Sequence, residues 1–231
     1  MRRIIEIAQA IEGYDPDALH VDKARAAIRA CLAPVQDIER VPVRTALGRV
    51  LAEDIVPAID VPGHDNTAMD GYAVRFVDLG ADATVLEEIG AALAGKTFAG
   101  VVGPGQCVRV TTGAVMPAGT DTVVVQEVVK VQGARVSIPA GQKAKQNVRY
   151  AGEDLKKGVP VLAPGRLLAP AELGRIASLG IGEVAVRRRV RVAFFSTGDE
   201  LASIGTALKA GEVYDSNRYT LHGMLARLGV E

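Results

Sequence analysis

From about residue 56 to residue 150 the sequence breaks into short, Val-rich apolar segments, each closed off by Gly or Pro. Candidate strands fall at 72–76, 107–111, 121–129 and 134–138. Turns such as Gly103-Pro104-Gly105 and Met116-Pro117-Ala118-Gly119 separate them. Strands that short, at that spacing, restrict the region to a small β-barrel or sandwich.

The flanks have a different period. Residues 1–15 read as a leader with a helical turn or two. Asp22 is placed to cap a helix over 23–32, with Ala24, Ala27, Ile28, Cys31 and Leu32 on one face and Pro34 as its stop. Residues 43–54 are again amphipathic, and Leu47, Val50 and Leu51 predict a short helix before Pro57. Beyond 150 come a strand candidate at 159–162, a turn at Pro164-Gly165, and a helix opened by Pro170 that runs to about Leu179. Gly180 lies just past its end. A short strand at 183–186 follows.

Arg187-Arg188-Arg189 is a basic junction, either a solvated linker or a phosphate contact. The apolar run 190–195 suits a strand buried on both faces, as in a parallel sheet. A polar loop, Ser196-Thr197-Gly198-Asp199-Glu200-Leu201, leaves it. Asp215-Ser216-Asn217 can then cap a helix over 218–228 that buries Leu221, Met224, Leu225 and Leu228 and ends at Gly229. The expected architecture is therefore α/β and multidomain. An elongated helical/β linking domain (1–55 and 151–186) carries a small β-barrel-like domain (56–150). Residues 187–231 form the truncated start of a doubly wound α/β domain.

Charge narrows the functional classes. Lys+Arg and Asp+Glu balance at 27 each, so no global field draws the chain to nucleic acid or membrane, and anion binding must be local. Trp is absent and aromatics are 4%, which argues against a base-stacking surface. No apolar run reaches the ~20 residues of a membrane helix, and no signal peptide is evident. Cys31 and Cys107 fit no metal spacing and read as reduced, buried thiols of a cytosolic protein, with a disulfide between them as the lesser alternative. His20, His64 and His222 are scattered, which speaks against zinc. There is no phosphate-binding GxxxxGK[ST] loop, no GxGxxG fingerprint and no nucleophile elbow.

Three segments could carry chemistry. The stretch from Val61 to Val74 is a polar turn with two carboxylates, Asp65 and Asp70, and Gly71 lets the backbone bend at Asp70. An Asx-rich turn bonding its own backbone is the plainer alternative. Thr111-Thr112-Gly113-Ala114 offers N–H and hydroxyl groups to an oxyanion, or simply ends a strand. Thr197-Gly198-Asp199-Glu200 with Asp215-Ser216-Asn217 sits where α/β sheets bind ligands, at strand carboxyl ends and a helix start. Asp199, Glu200 and Asp215 could hold Mg²⁺, which takes one or two carboxylates with water and phosphate oxygens. Caps on a surface loop would look the same.

Taken in order, the segments resemble one family. Leu47-Gly48-Arg49-Val50-Leu51-Ala52, Asp65-Asn66 through Ala68-Met69-Asp70-Gly71-Tyr72-Ala73-Val74, and Thr112-Gly113-Ala114 come first. Gln126-Glu127, Asn147-Val148-Arg149 with Gly152-Glu153-Asp154, and Ala177-Ser178-Leu179-Gly180 follow. Ser196-Thr197-Gly198-Asp199-Glu200-Leu201 and Tyr214-Asp215-Ser216-Asn217-Arg218 come last. Together they are similar to the molybdopterin molybdotransferases, the family that includes the gephyrin E domain, over about residues 17–231.

The resemblance implies a cytoplasmic homodimer that takes adenylylated molybdopterin and molybdate. With Mg²⁺ it releases AMP and leaves molybdenum on the pterin. It implies a site shared between the β domain of one subunit and the α/β domain of the other. Asp70, Thr112 and Glu200 would be catalytic. Thr197, Gly198, Ser216, Asn217 and Asp154 would bind the pterin nucleotide, and Asp199, Glu200 and Asp215 the metal. His64 stands where the family commonly has an aromatic such as Phe. The sequence reaches Glu231 before the family's Gly-Gly-x-Ser and Lys-Pro-Gly-Lys-Pro segments, so the α/β part is expected to be incomplete and the chain alone to show little or no catalysis. A non-catalytic dimerisation or scaffold module on the same fold is the alternative reading.

Overall fold

The structure is a computed structural model that describes residues 20–231. The leader expected at 1–15 lies outside the described residues. Along the chain, the helix Val21–Cys31 precedes β1 (Ile38–Pro42), β2 (Asn66–Thr67), β3 (Gly71–Val74), β4 (Thr84–Ala92) and β5 (Gln106–Val110). Next come β6 (Thr122–Val125), β7 (Lys130–Gln132), β8 (Arg135–Ile138) and β9 (Val148–Arg149). The helix Pro170–Ser178, β10 (Glu183–Arg187), β11 (Leu201–Ala202), β12 (Val213–Tyr214) and the helix Ser216–Arg227 complete it.

The Val-rich middle forms a six-stranded mixed sheet in the order β6-β3-β5-β4-β8-β7, in which β4 and β5 run parallel. Its end strands, β6 and β7, do not pair with each other, so the sheet is a half-barrel rather than a closed one. Side-chain alternation, with a period of two, feeds two cores. Tyr72, Val74, Cys107, Val124 and Val136 fill one face. Ala73, Val108, Val110, Ala114 and Val123 fill the other. All four residues of β3 are buried, as befits a strand covered on both sides.

The longest strand, β4, was not foreseen, because Glu87, Glu88 and Gly90 interrupt the apolar pattern within it. The register against β5 shifts between Glu88 and Ala91, and Gly90 sits in that bulge with φ +156. A Cβ there would come within 2.8 Å of the Phe98 ring.

A third core joins two distant stretches. Ala46, Leu51 and Ile55 pack with Leu162, Leu168, Ile176, Leu179, Val184 and Val186. Each large side chain buried here is worth about 1.5–3 kcal/mol. The antiparallel pair β1–β10 edges this core, from Ile38↔Arg187 to Pro42↔Glu183. The helix Pro170–Ser178 matches expectation, with Pro170 in its first turn, Leu179 as C-cap and Gly180 at φ +72 beyond. The helix expected at 43–54 is instead one 3₁₀ turn, Val43–Thr45. After it the chain runs extended, bridging Val50↔Leu167, Leu51↔Val186 and Ile55↔Leu162, because pairing with two neighbouring stretches satisfies more backbone than an isolated turn of helix. The strand expected at 159–162 contributes only the bridge at Leu162.

Four further expectations are corrected. The N-cap of the first helix is His20, whose Nδ1 accepts from the Asp22 N–H at 3.3 Å. Asp22 lies inside the first turn, and no residue of this helix is buried. Cys31 is exposed, whereas Cys107 is buried, and burial pushes its thiol up to about 12. The run 190–195 forms no strand. Its regular backbone bonds go to Glu231 (Val192 N–H to Glu231 O, 2.8 Å; Glu231 N–H to Val190 O, 2.9 Å), and Phe195 is 85% exposed. A strand needs ladder partners on its edges, and this segment has one short stretch. No residue of 187–231 is buried. Leu221, Met224 and Leu228 are exposed, although Asp215 caps their helix as expected. Among the described residues no helix is long and apolar enough to cross a membrane.

Candidate functional site

The loop ahead of β3 is held by its neighbours rather than by itself. The Thr67 N–H donates to Ala114 O (3.0 Å), the Gly113 N–H donates to Thr67 O (2.8 Å), and the Thr67 hydroxyl donates to Thr111 O (2.6 Å). This closes the 66–70 loop against the 111–114 turn. As a result Thr112 gives both its donors to one oxygen of Asp70, the N–H at 2.7 Å and the hydroxyl at 2.9 Å. The Thr112 N–H, then the Thr112 hydroxyl, then the charge of Arg109 hold the Asp70 carboxyl below its usual range. Asp70 is exposed, ionised and fixed in direction.

Gly71 serves this geometry in a way different from the expected bend. Its Cα lies so close to β6 that a Cβ would fall 2.0 Å from Val124 O. Glycine permits the β3–β6 contact that starts at Gly71↔Val125, one residue after Asp70. Arg109, opposite Tyr72 on β5, was not singled out from the sequence. Its only sequence signal was a charge set between Val108 and Val110, just ahead of the Thr112 turn.

The segment 147–154 joins the same neighbourhood. β9 pairs with β2 (Asn66↔Arg149, Thr67↔Val148), the Ala151 N–H donates to the Asp65 carboxylate at 2.9 Å, and the Asp154 N–H donates to Val61 O at 2.9 Å. Asp154 accepts from Arg149 at 2.6 Å, and Glu153 accepts from the same guanidinium at 3.3 Å. These two carboxylates, Asp154 first, raise the Arg149 pKa further. Asp65 is thus a clasp between two loops.

The remaining candidates gather elsewhere. The parallel pair β11–β12 brings the Ser196–Leu201 stretch beside the Tyr214–Arg218 stretch. The Val213 N–H donates to Glu200 O at 2.8 Å, and the Asp215 N–H donates to Ala202 O at 3.2 Å. A polar cleft between them is lined by Ser196, Gly198, Ser203, Asp215 and Arg218. Asp215 caps the final helix by accepting from the Arg218 N–H at 3.1 Å, and Ser216 and Asn217 form its exposed first turn. The Glu200 carboxylate folds over Gly198, whose φ is +153; a Cβ there would meet its oxygens at 2.5 and 2.7 Å. Thr197 and Asp199 are exposed in the same loop. Among the described residues no hydrogen bond or ion pair joins this group to Asp70, Thr112 or Asp154.

The metal expectation can be tested against this donor set. Among the described residues no three His, Cys, Asp or Glu side chains are grouped to hold an ion, so Asp199, Glu200 and Asp215 do not form a three-ligand cage. Mg²⁺ asks for less, one or two carboxylates completed by water and phosphate. Asp199, Glu200 and Asp215 supply carboxylates of the kind Mg²⁺ takes, although Asp215 already accepts from the Arg218 N–H. The basic junction fits phosphate less well. Arg187 donates to Gln36 O at 2.7 Å, and Arg188 is paired with Asp37 at 3.0 Å.

An α/β protein with a two-faced half-barrel, a separate core beside it, an Asp–Thr pair at the barrel rim and a polar strand–loop–helix beyond defines a narrow class. The chain belongs to the MoeA family: residues 19–180 match the MoeA N-terminal region (domain I and II). It is 41% identical over 221 residues to a molybdopterin molybdenumtransferase of Haemophilus influenzae, covering 92% of this chain and 53% of that protein. It is 40% identical over 200 residues to one from Nostoc, covering 85% and 46%. A crystal structure of a molybdopterin biosynthesis moeA protein from Pyrococcus horikoshii superposes with a TM-score of 0.80 at 34% identity, over 87% of this chain and 54% of that one. The chain spans about half the length of the curated relatives it matches.

Proposed function

We propose that this chain carries part of the site that inserts molybdenum into adenylylated molybdopterin with release of AMP. The observation that carries the reading is the Asp70–Thr112 pair, an exposed carboxylate held ionised and aimed by two donors from a residue 42 positions away. The relatives' description as molybdopterin molybdenumtransferases supplies the substrate class.

In this reading Asp70 orients an oxygen of the reacting group by accepting its proton or hydrogen bond. Thr112 works through Asp70, because both its donors already point there. Cleavage of a phosphoanhydride depends on positioning and on neutralising phosphate charge. Glu200, with Asp199 or Asp215, would hold Mg²⁺, which supplies that neutralisation when bound. Thr197, Gly198, Ser216 and Asn217 would contact the pterin nucleotide, with N–H groups at the helix start facing phosphate. Asp154, fixed by Arg149, would contact it from the other side.

The reading takes the protein as a cytoplasmic homodimer in which residues 187–231 of one copy face the 56–150 region of its partner. Of the described residues, 20–55 and 151–186 would form the linking unit. The exposed apolar side chains of the 187–231 region support a further packing surface there.

The test is to supply the full-length protein with adenylylated molybdopterin, molybdate and Mg²⁺ and to follow AMP and pterin-bound molybdenum. AMP appears with wild-type protein and falls sharply with Glu200→Ala. Absence of AMP from wild-type protein would remove the proposal.

A further inference from the structure

β6 lies at an edge of the half-barrel, and edge strands present unpaired backbone groups. Here one segment closes that edge with side-chain amides. Val123 O accepts from Asn147 Nδ2 at 2.9 Å and from Gln146 Nε2 at 3.3 Å, and the Val123 N–H donates to Gln146 O at 3.1 Å. To do this the backbone takes two left-handed steps, at Lys145 (φ +63) and at Asn147 (φ +56). Asn is among the few side chains that tolerate that conformation.

Asn147 faces two ways. Its side chain holds β6, while its carbonyl accepts from the Ala68 N–H at 2.9 Å, two residues before Asp70. The next residue, Val148, pairs with Thr67. On its other side the Asp70 loop is tied to the residue after β6, where the Gln126 N–H donates to Asp70 O at 3.2 Å. Asp70 therefore sits between two attachments to the same strand, and Asn147 makes the first of them. The segment carrying Arg149 and Asp154 leaves from the same point.

We infer that Asn147 is a positioning residue that sets the Asp70–Thr112 pair, and the Arg149–Asp154 segment, against the edge of β6. The inference rests on the functional reading above only for its catalytic consequence; the placement itself is a property of the fold.

Asn147→Gly tests it, because glycine takes φ +56 without strain and removes only the amide. Asn147→Asp keeps the shape and puts an acceptor against Val123 O. In this chain, the Ala68 and Thr112 amide resonances of both variants shift from wild-type positions while the fold melts cooperatively. Unchanged Thr112 resonances in both would overturn the inference. In the full-length protein both variants lose about tenfold in kcat for AMP release, the scale of one hydrogen bond, with KM for adenylylated molybdopterin within about twofold of wild type. A wild-type kcat in both would equally overturn it. If the wild-type protein releases no AMP, the functional reading fails and the resonances alone decide the positioning. Asn147→Gly carries the test if Asn147→Asp does not fold.

Discussion

Thr112 and Asp70 are 42 residues apart in sequence, yet the N–H and the hydroxyl of one meet a single carboxylate oxygen of the other at 2.7 and 2.9 Å. Neither group acts alone in this arrangement. The carboxylate is aimed because the turn after β5 closes on the loop before β3, and the turn keeps its form because the carboxylate accepts its donors. The charge on Asp70 follows from the same bonds.

That coupling has a titration consequence. Thr112→Val removes the hydroxyl and leaves the N–H, so the Asp70 pKa rises part of the way back toward the usual carboxylate value. The sign for stability follows from the depression. A carboxyl with a lowered folded pKa contributes stability that is full above its unfolded value and is lost as pH falls through the lowered one. In the variant this contribution is smaller, and its loss, which begins at the same unfolded value, is complete at a higher pH than in wild type. Carboxyl ¹³C titration of both proteins reads the shift directly, and identical curves would show that the hydroxyl is irrelevant to Asp70.

Gly71 is predicted to be intolerant of any side chain. A Cβ 2.0 Å from Val124 O must push β3 from β6. Gly71→Ala should cost about 3 kcal/mol, the upper end of the usual overpacking range. Denaturant melts of the chain measure it; a cost near zero would mean that the strands separate freely.

The cysteines should behave oppositely. Cys31 is exposed and Cys107 lies in a core with its thiol pushed up to about 12, so little thiolate exists there at neutral pH. A thiol-specific reagent modifies Cys31 in the native protein and Cys107 only after denaturant is added. Rapid native labelling of Cys107 would contradict the packing of the face that Tyr72 and Val136 share with it.

Legibility in the sequence tracked local signals. Pro170 and Gly180 bracket a helix at Pro170–Ser178, and Asp215 caps one at Ser216–Arg227, because caps act within a few residues of the positions they mark. β4 was hidden because its pairing with β5 and β8, not its own pattern, makes it a strand. Residues 190–195 show the reverse: an apolar run is only a candidate strand until edges arrive to pair with it. The stretch 43–54 had helical spacing but is held extended by Leu167, Val186 and Leu162, which are far away in the chain.

The site divides in the same way. Asp70, Thr112 and Glu200 could be singled out as residues, and their order carried the family resemblance. That Thr112 bonds Asp70, or that Asn147 joins Val123 to Ala68, depends on contacts no local pattern encodes. Arg109 was passed over because a charge on a strand ordinarily marks a solvated face.

The central claim is that Asp70, held ionised by Thr112, belongs to the molybdenum-insertion site. The measurement that bears on it most directly is AMP release from adenylylated molybdopterin by the full-length protein carrying Asp70→Asn, which keeps the shape and removes the charge. The account predicts a loss of at least about 100-fold, the lower end of what a positioned acid or base contributes. A folded Asp70→Asn protein releasing AMP at the wild-type rate would contradict it.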